Sequence, residues 1–121
     1  MLNIPQNCDI YDTEFSPHKW FINFIKDDVH KNLLSNWPNQ TLFKDEGNEK
    51  PRKHGQRNHI RKFMCYANYT PGKMLQKFMI EKTQLPDVWQ QFVEHILTDK
   101  EYDAFLKHTL QIKNYKLRLD W

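Results

Sequence analysis

The stretch Leu85–Leu110, LPDVWQQFVEHILTDKEYDAFLKHTL, decides how the chain is read. Its apolar residues fall at Leu85, Val88, Trp89, Phe92, Val93, Ile96 and Leu97, which is helical spacing. That spacing puts Trp89, Phe92, Val93 and Ile96 on one buried stripe, with Asp87, Gln90, Gln91 and Glu94 opposite. Pro86 suits a first helical turn, where its missing N–H costs nothing, and Asp87 complements the positive end of the helix dipole. Thr98-Asp99-Lys100-Glu101 reads as a capping box, so one helix ends there and another begins. The second carries Tyr102, Phe105, Leu106 and Leu110 on one face. Two amphipathic helices on so short a turn need the rest of the chain to pack against.

Working outward, Tyr115-Lys116-Leu117-Arg118-Leu119-Asp120-Trp121 alternates apolar and charged residues and predicts a strand. Its register is strongly fixed, because a slip of one residue would bury three charges. The pattern stops on an aromatic it turns inward, so the chain is expected to continue in a longer protein, or else to leave an edge open to self-association. Upstream, residues 8–15 (CDIYDTEF) predict a short strand and Lys19–Ile25 (KWFINFI) a firmer one. The latter is apolar on both faces, the mark of an inner strand. Asp27-Asp28 open a helix with Val29, Leu33, Leu34 and Trp37 on one stripe, and Pro38 closes it. Gly47, Pro51 and Gly55 punctuate a mobile loop over residues 39–57. A strand centred on 60–68, a turn at Thr70-Pro71-Gly72 and a short helix over Lys73–Lys82, with Met74, Phe78 and Met79 in the core, complete the outline. The expected fold class is α+β: an antiparallel sheet of about four strands with helices over one face.

With 121 residues, the chain reads as one domain or a domain fragment. The formal charge of +3 selects no partner class. Cys8 and Cys65 have no metal or redox spacing, which favours a reducing compartment. The start MLNIPQNCDIYD has no basic region followed by an apolar run, and no segment reaches the roughly 20 apolar residues of a membrane span. A cytoplasmic protein with no membrane partner is expected.

From Lys50 to Lys62 there are six basic residues and no acidic one. With Phe63, Tyr66 and Tyr69 following, this resembles a phosphate groove with stacking platforms, and Arg57, Arg61 and Lys62 are the candidates for substrate or phosphate contact. The plainer reading is a solvated loop balanced by Asp45, Glu46 and Glu49, which disfavours nucleic acid. His54, His59 and Cys65 match no zinc spacing, and Cys65 lies in an apolar run where thiols are usually inert. His95 and His108 read as helix surface or packing residues. No catalytic residue and no metal ligand is assigned.

Taken in order, these segments resemble the N-terminal part of the iron- and 2-oxoglutarate-dependent oxygenases of the prolyl-hydroxylase-like group. Phe15-Ser16-Pro17-His18 with Trp20–Ile25 is similar to that family's opening strand, and Asp27-Asp28 through Leu33-Leu34 to the helix after it. Trp37-Pro38 with Leu42-Phe43 looks like the segment after that helix. Leu85-Pro86 with Trp89, Phe92 and Val93 resembles the helix pair laid against the family's double-stranded β-helix, and Leu117–Trp121 the strand leading into the first iron ligand. The resemblance implies Fe(II) and 2-oxoglutarate as cofactors of a complete member, and a C-terminal half as this chain's partner. One departure stands out. The family holds iron with His-x-Asp (or Glu) and a distant second His, yet none of the six histidines here is followed two residues on by Asp or Glu. The chain alone is therefore expected to hold no cofactor and to be inactive. Within the resemblance, Arg57 and Arg61 would line the substrate cleft. The alternative is a small non-enzymatic binding protein, acting through residues 50–62 or an exposed aromatic edge.

Overall fold

In the computed structural model, an Asn breaks the first firm strand. Asn23 sits in the left-handed region at φ 56°, which Asn tolerates better than most residues, and the strand ends one residue before it. The structure describes residues 1–2, 9–12, 19–46 and 61–121. Strands β1 (Asp9–Asp12) and β2 (Lys19–Ile22) pair antiparallel, Ile10 opposite Phe21. Trp20 and Ile22 on β2 lie 59% and 47% exposed, so this is not the covered inner strand its two apolar faces predicted. Leu2 bridges to Ile25, and Lys26 N–H donates to Met1 O at 2.9 Å.

Contacts divide the chain into two units. The first comprises Met1–Trp37 and Leu85–Tyr115. Here α1 (Asp27–Ser35) carries both aspartates in its first turn, where the dipole favours them. Of its predicted stripe only Leu33 is fully buried, while Leu34 and Trp37 stand about half exposed. Helix α3 (Asp87–Thr98) buries Trp89, Phe92, Val93 and Ile96, the predicted stripe. Pro86 is the capping residue just outside it. The Trp89 indole N–H donates to Leu33 O at 3.1 Å, satisfying a carbonyl at the C-terminal end of α1. Trp37 meets Trp89 edge-on at 5.8 Å between ring centres. Helix α4 (Lys100–Leu110) buries Tyr102 and Leu106. Its N-cap is Asp99, whose Oδ1 accepts from Tyr102 N–H at 2.9 Å. The capping box read at Thr98 is therefore displaced by one residue: Thr98 Oγ1 instead donates back to Glu94 O within α3. Phe21, Phe24, Phe105 and Tyr102 form a ring cluster with neighbouring centres 5.3 to 6.1 Å apart.

The second unit comprises Pro38–Gln84 and Lys116–Trp121. Part of the predicted loop is ordered: one 3-10 turn at Gln40–Leu42, capped by Asn39, then β3 (Lys44–Glu46). Residues 47–57 of that loop lie outside the described residues. The predicted strand at 60–68 splits into β4 (Arg61–Phe63), paired with β3, and β5 (Cys65–Ala67). The predicted helix over Lys73–Lys82 lasts only as α2 (Lys73–Gln76), because the backbone beyond it is drawn onto β5. Cys65 N–H donates to Phe78 O and Ile80 N–H to Cys65 O, each at 2.9 Å. Phe63, Cys65 and Phe78 are buried together, with Leu75 and Met79 packed on them. Met74 was expected in the core but is 83% exposed.

The terminal strand β6 (Arg118–Asp120) pairs antiparallel with β5, Leu119 opposite Tyr66. The predicted alternation holds: Tyr115, Leu117, Leu119 and Trp121 are partly buried, and Lys116, Arg118 and Asp120 are exposed. The class is α+β, but the described strands form three separate two-stranded antiparallel pairs in place of one four-stranded sheet. Each strand is only three or four residues long, too short to carry a wide sheet.

Candidate functional site

Of the residues predicted to meet phosphate or substrate, Arg57 lies outside the described residues. Arg61 opens β4, in register with Glu46. Lys62 sits opposite Asp45 on β3, its Nζ 3.6 Å from Asp45 Oδ1, with both side chains 68% exposed. An ion pair that open contributes little, about 0.2–1 kcal/mol, but it sets a carboxylate beside the cation a phosphate would need. The structure thus places Arg61 and Lys62 next to each other on one short strand; the other basic residues of the stretch, Lys50 to Arg57, lie outside the described residues.

His54 and His59 also lie outside the described residues. Cys65 is a free, fully buried thiol. Its Sγ lies 3.7 Å from Met79 Sδ, and burial, aided by the Asp120 carboxylate, pushes the thiol up. That makes it a poor nucleophile and a packing residue. Among the described residues no group of three His, Cys, Asp or Glu side chains converges as a metal site would require. No helix among them is long and apolar enough to cross a membrane.

The first unit holds an open hollow of about 330 Å³ beside Phe21, Asn23, Phe24, Ile25, Asp27 and His30. Asn23, in its left-handed turn between β2 and α1, is part of the lining, and the two phenyl rings stand 5.3 Å apart between centres. Phe21 and Phe24 supply apolar wall; Asp27 and His30, on the first turn of α1, supply polar rim. The volume is at the small end of ligand pockets, and the polar groups of Asn23, Asp27 and His30 are exposed, so among the described residues the hollow has shape without a desolvated donor set.

Two polar clusters on the helix pair escaped the sequence reading. His95 Nε2 lies 2.9 Å from Asp99 Oδ2, and the Tyr102 amide that Asp99 caps holds its carboxyl below the usual range, with His95 adding a smaller pull. Further along, Tyr115 Oη donates to Asp103 Oδ1 at 2.8 Å, and Lys107 Nζ lies 3.1 Å from Asp103 Oδ2. Burial and that carboxylate push the Tyr115 phenol up to about 12. The i,i+4 spacings His95/Asp99 and Asp103/Lys107 were the available signal. The first ties the last turn of α3 to the cap of α4, and the second ties α4 to Tyr115 in the segment that follows it; neither lines the hollow. No family model, curated protein or solved structure matches this chain.

Proposed function

We propose that this chain is the N-terminal region of an iron- and 2-oxoglutarate-dependent dioxygenase of the prolyl-hydroxylase-like group, a scaffold that performs none of the chemistry itself. The observation that carries the reading is the order of elements. β2, α1, the α3–α4 pair and β6 follow one another as the residues resembling that family's front half do. In a complete member, iron would activate oxygen while 2-oxoglutarate is decarboxylated to succinate and an unactivated C–H bond is hydroxylated. The residues present do not fit the metal: no histidine is followed by x-Asp or x-Glu, and no three ligands converge among the described residues. No step of that reaction is therefore assigned to a residue of this chain.

The test has two parts. The coding sequence read on from the Trp121 codon is expected to encode His-x-Asp or His-x-Glu in frame, and a protein including that motif is expected to release succinate with Fe(II), ascorbate and 2-oxoglutarate. The chain of residues 1–121 alone is expected to release none above a protein-free control. A downstream sequence without the motif, or turnover by residues 1–121 alone, would overturn the reading.

A further inference from the structure

The outer side of β6 has an unusual charge order for a sheet edge. Met64 and Trp121 exchange both backbone hydrogen bonds, at 3.4 and 3.0 Å, and Asn68 N–H donates to Leu117 O at 3.2 Å. Such pairs recur at every second residue of an antiparallel ladder, so Leu119 also turns its backbone toward β5. The N–H and C=O groups of Arg118 and Asp120 therefore point the other way, and among the described residues no strand pairs with that edge. Edge strands are commonly guarded by charges that repel a second strand. Here the two charges are opposite and two residues apart, and Arg118 Nη2 already lies 2.9 Å from Asp120 Oδ2 on one face.

We infer that the outer edge of β6 is a self-complementary docking strand for a second copy of this chain, paired antiparallel about a two-fold axis at Leu119. In that register Arg118 of each copy lies opposite Asp120 of the other. Those are the residues with free outward backbone groups, so each opposed pair exchanges both hydrogen bonds. The side chains form an alternating ring of four charges, since a carboxylate has about four acceptor sites and a guanidinium five donors. On the other face Leu119 meets Leu119, and Leu117 meets Trp121, all partly buried already. A shift of the axis by one residue either way sets Arg118 against Arg118 or Asp120 against Asp120, and like charges directly opposite are destabilising. The interface is thus isologous and closed at two copies. It rests on the edge geometry alone, not on the oxygenase reading.

Sedimentation velocity on the full chain tests it. The wild type is expected to dimerise with rising concentration. Arg118→Asp and Asp120→Arg should each lose the dimer, because each places like charges opposite on both sides of the axis. An equimolar mixture of the two variants should recover it, since one copy then offers two Asp and the other two Arg. Recovery would also show that both variants fold. A second measurement needs no variant: amide exchange at Arg118 and Asp120 in the wild type should slow as concentration rises. A wild type that stays monomeric, an undiminished dimer in either variant, or exchange independent of concentration would overturn the inference. A monomer whose edge amides are protected at every concentration would do so by giving the edge to another strand of the same chain.

Discussion

Replacing Asp99 by Ala should remove more stability than replacing Thr98, the other polar residue read as a cap of the α3–α4 joint. Its carboxylate does two things at once. Oδ1 takes the Tyr102 N–H at 2.9 Å, and Oδ2 holds His95 Nε2 at 2.9 Å. Losing the cap costs about 1 kcal/mol, and losing a partly screened pair adds roughly 0.2–1, giving about 1.5 kcal/mol. Asp99→Asn keeps an acceptor for the cap and should cost only the smaller part. Thr98→Ala should cost under about 0.5 kcal/mol, because the Thr98 hydroxyl bonds its own helix at the surface. With a urea m-value of roughly 2 kcal/mol/M, Asp99→Ala lowers the unfolding midpoint by about 0.7 M without changing the slope. The pH dependence has a definite sign. The folded carboxyl is held below its ordinary value, so its contribution is complete above about pH 4, the unfolded value, and is lost as pH falls through the lower folded value. The gap between wild type and Asp99→Ala should therefore close on acidification. If Thr98→Ala costs as much as Asp99→Ala, the cap sits where the sequence pattern first put it and the assignment of Asp99 is refuted.

Tyr115→Phe should lose the bond to Asp103. In the wild type one of the five tyrosines should ionise near pH 12 by tyrosinate absorbance, with that bond's stabilisation full below about pH 10, the ordinary phenol value, and lost as pH rises through the raised one. Cys65→Ser should destabilise the fold by about 1–3 kcal/mol in urea titration, because a hydroxyl replaces a fully buried thiol, and Cys65 should resist thiol reagents until the protein unfolds. Any binding of single-stranded nucleic acid through residues 50–62 would weaken with salt at a log–log slope of about −0.7 per phosphate neutralised; a slope near zero, or no binding at low salt, would remove nucleic acid as a partner.

The helix pair was legible because burial and periodicity say the same thing there. Trp89, Phe92, Val93 and Ile96 repeat at helical spacing, and all four are buried. The terminal strand was legible for the same reason at period two. Misreadings arose where a local feature overrode a pattern. KWFINFI looked like one covered strand, but Asn23 takes a left-handed turn inside it, which apolar alternation cannot signal. Lys73–Lys82 had helical spacing, yet the open backbone edge of Cys65 recruits Phe78 and Ile80, a long-range bond absent from any local window. The candidate site was less legible still. The hollow beside Phe21 and Phe24 is lined by the residue of that same turn, and the cations proposed for ligand contact are named by composition, which does not fix where they converge.

Burial also explains why the joint at Asp99 matters more than the number of strands suggests. Among the described residues of the first unit the buried apolar side chains are Leu33 on α1, Leu85 just before α3, Trp89, Phe92, Val93 and Ile96 on α3, and Tyr102 and Leu106 on α4. The described side chains of β2 add none, and two of them, Trp20 and Ile22, stay open. Each large apolar side chain taken from water contributes about 1.5–3 kcal/mol, so among the described residues of this unit the hydrophobic stabilisation is carried almost wholly by helices. An α4 of 11 residues is too short to be stable in isolation. It persists because Tyr102 and Leu106 are held in the core, and they are held there only if α4 starts at the right residue. Asp99 fixes that start. It accepts the Tyr102 N–H from one side and is tethered to the last turn of α3 through His95 on the other, so the cap and the direction of the second helix are set by one carboxylate.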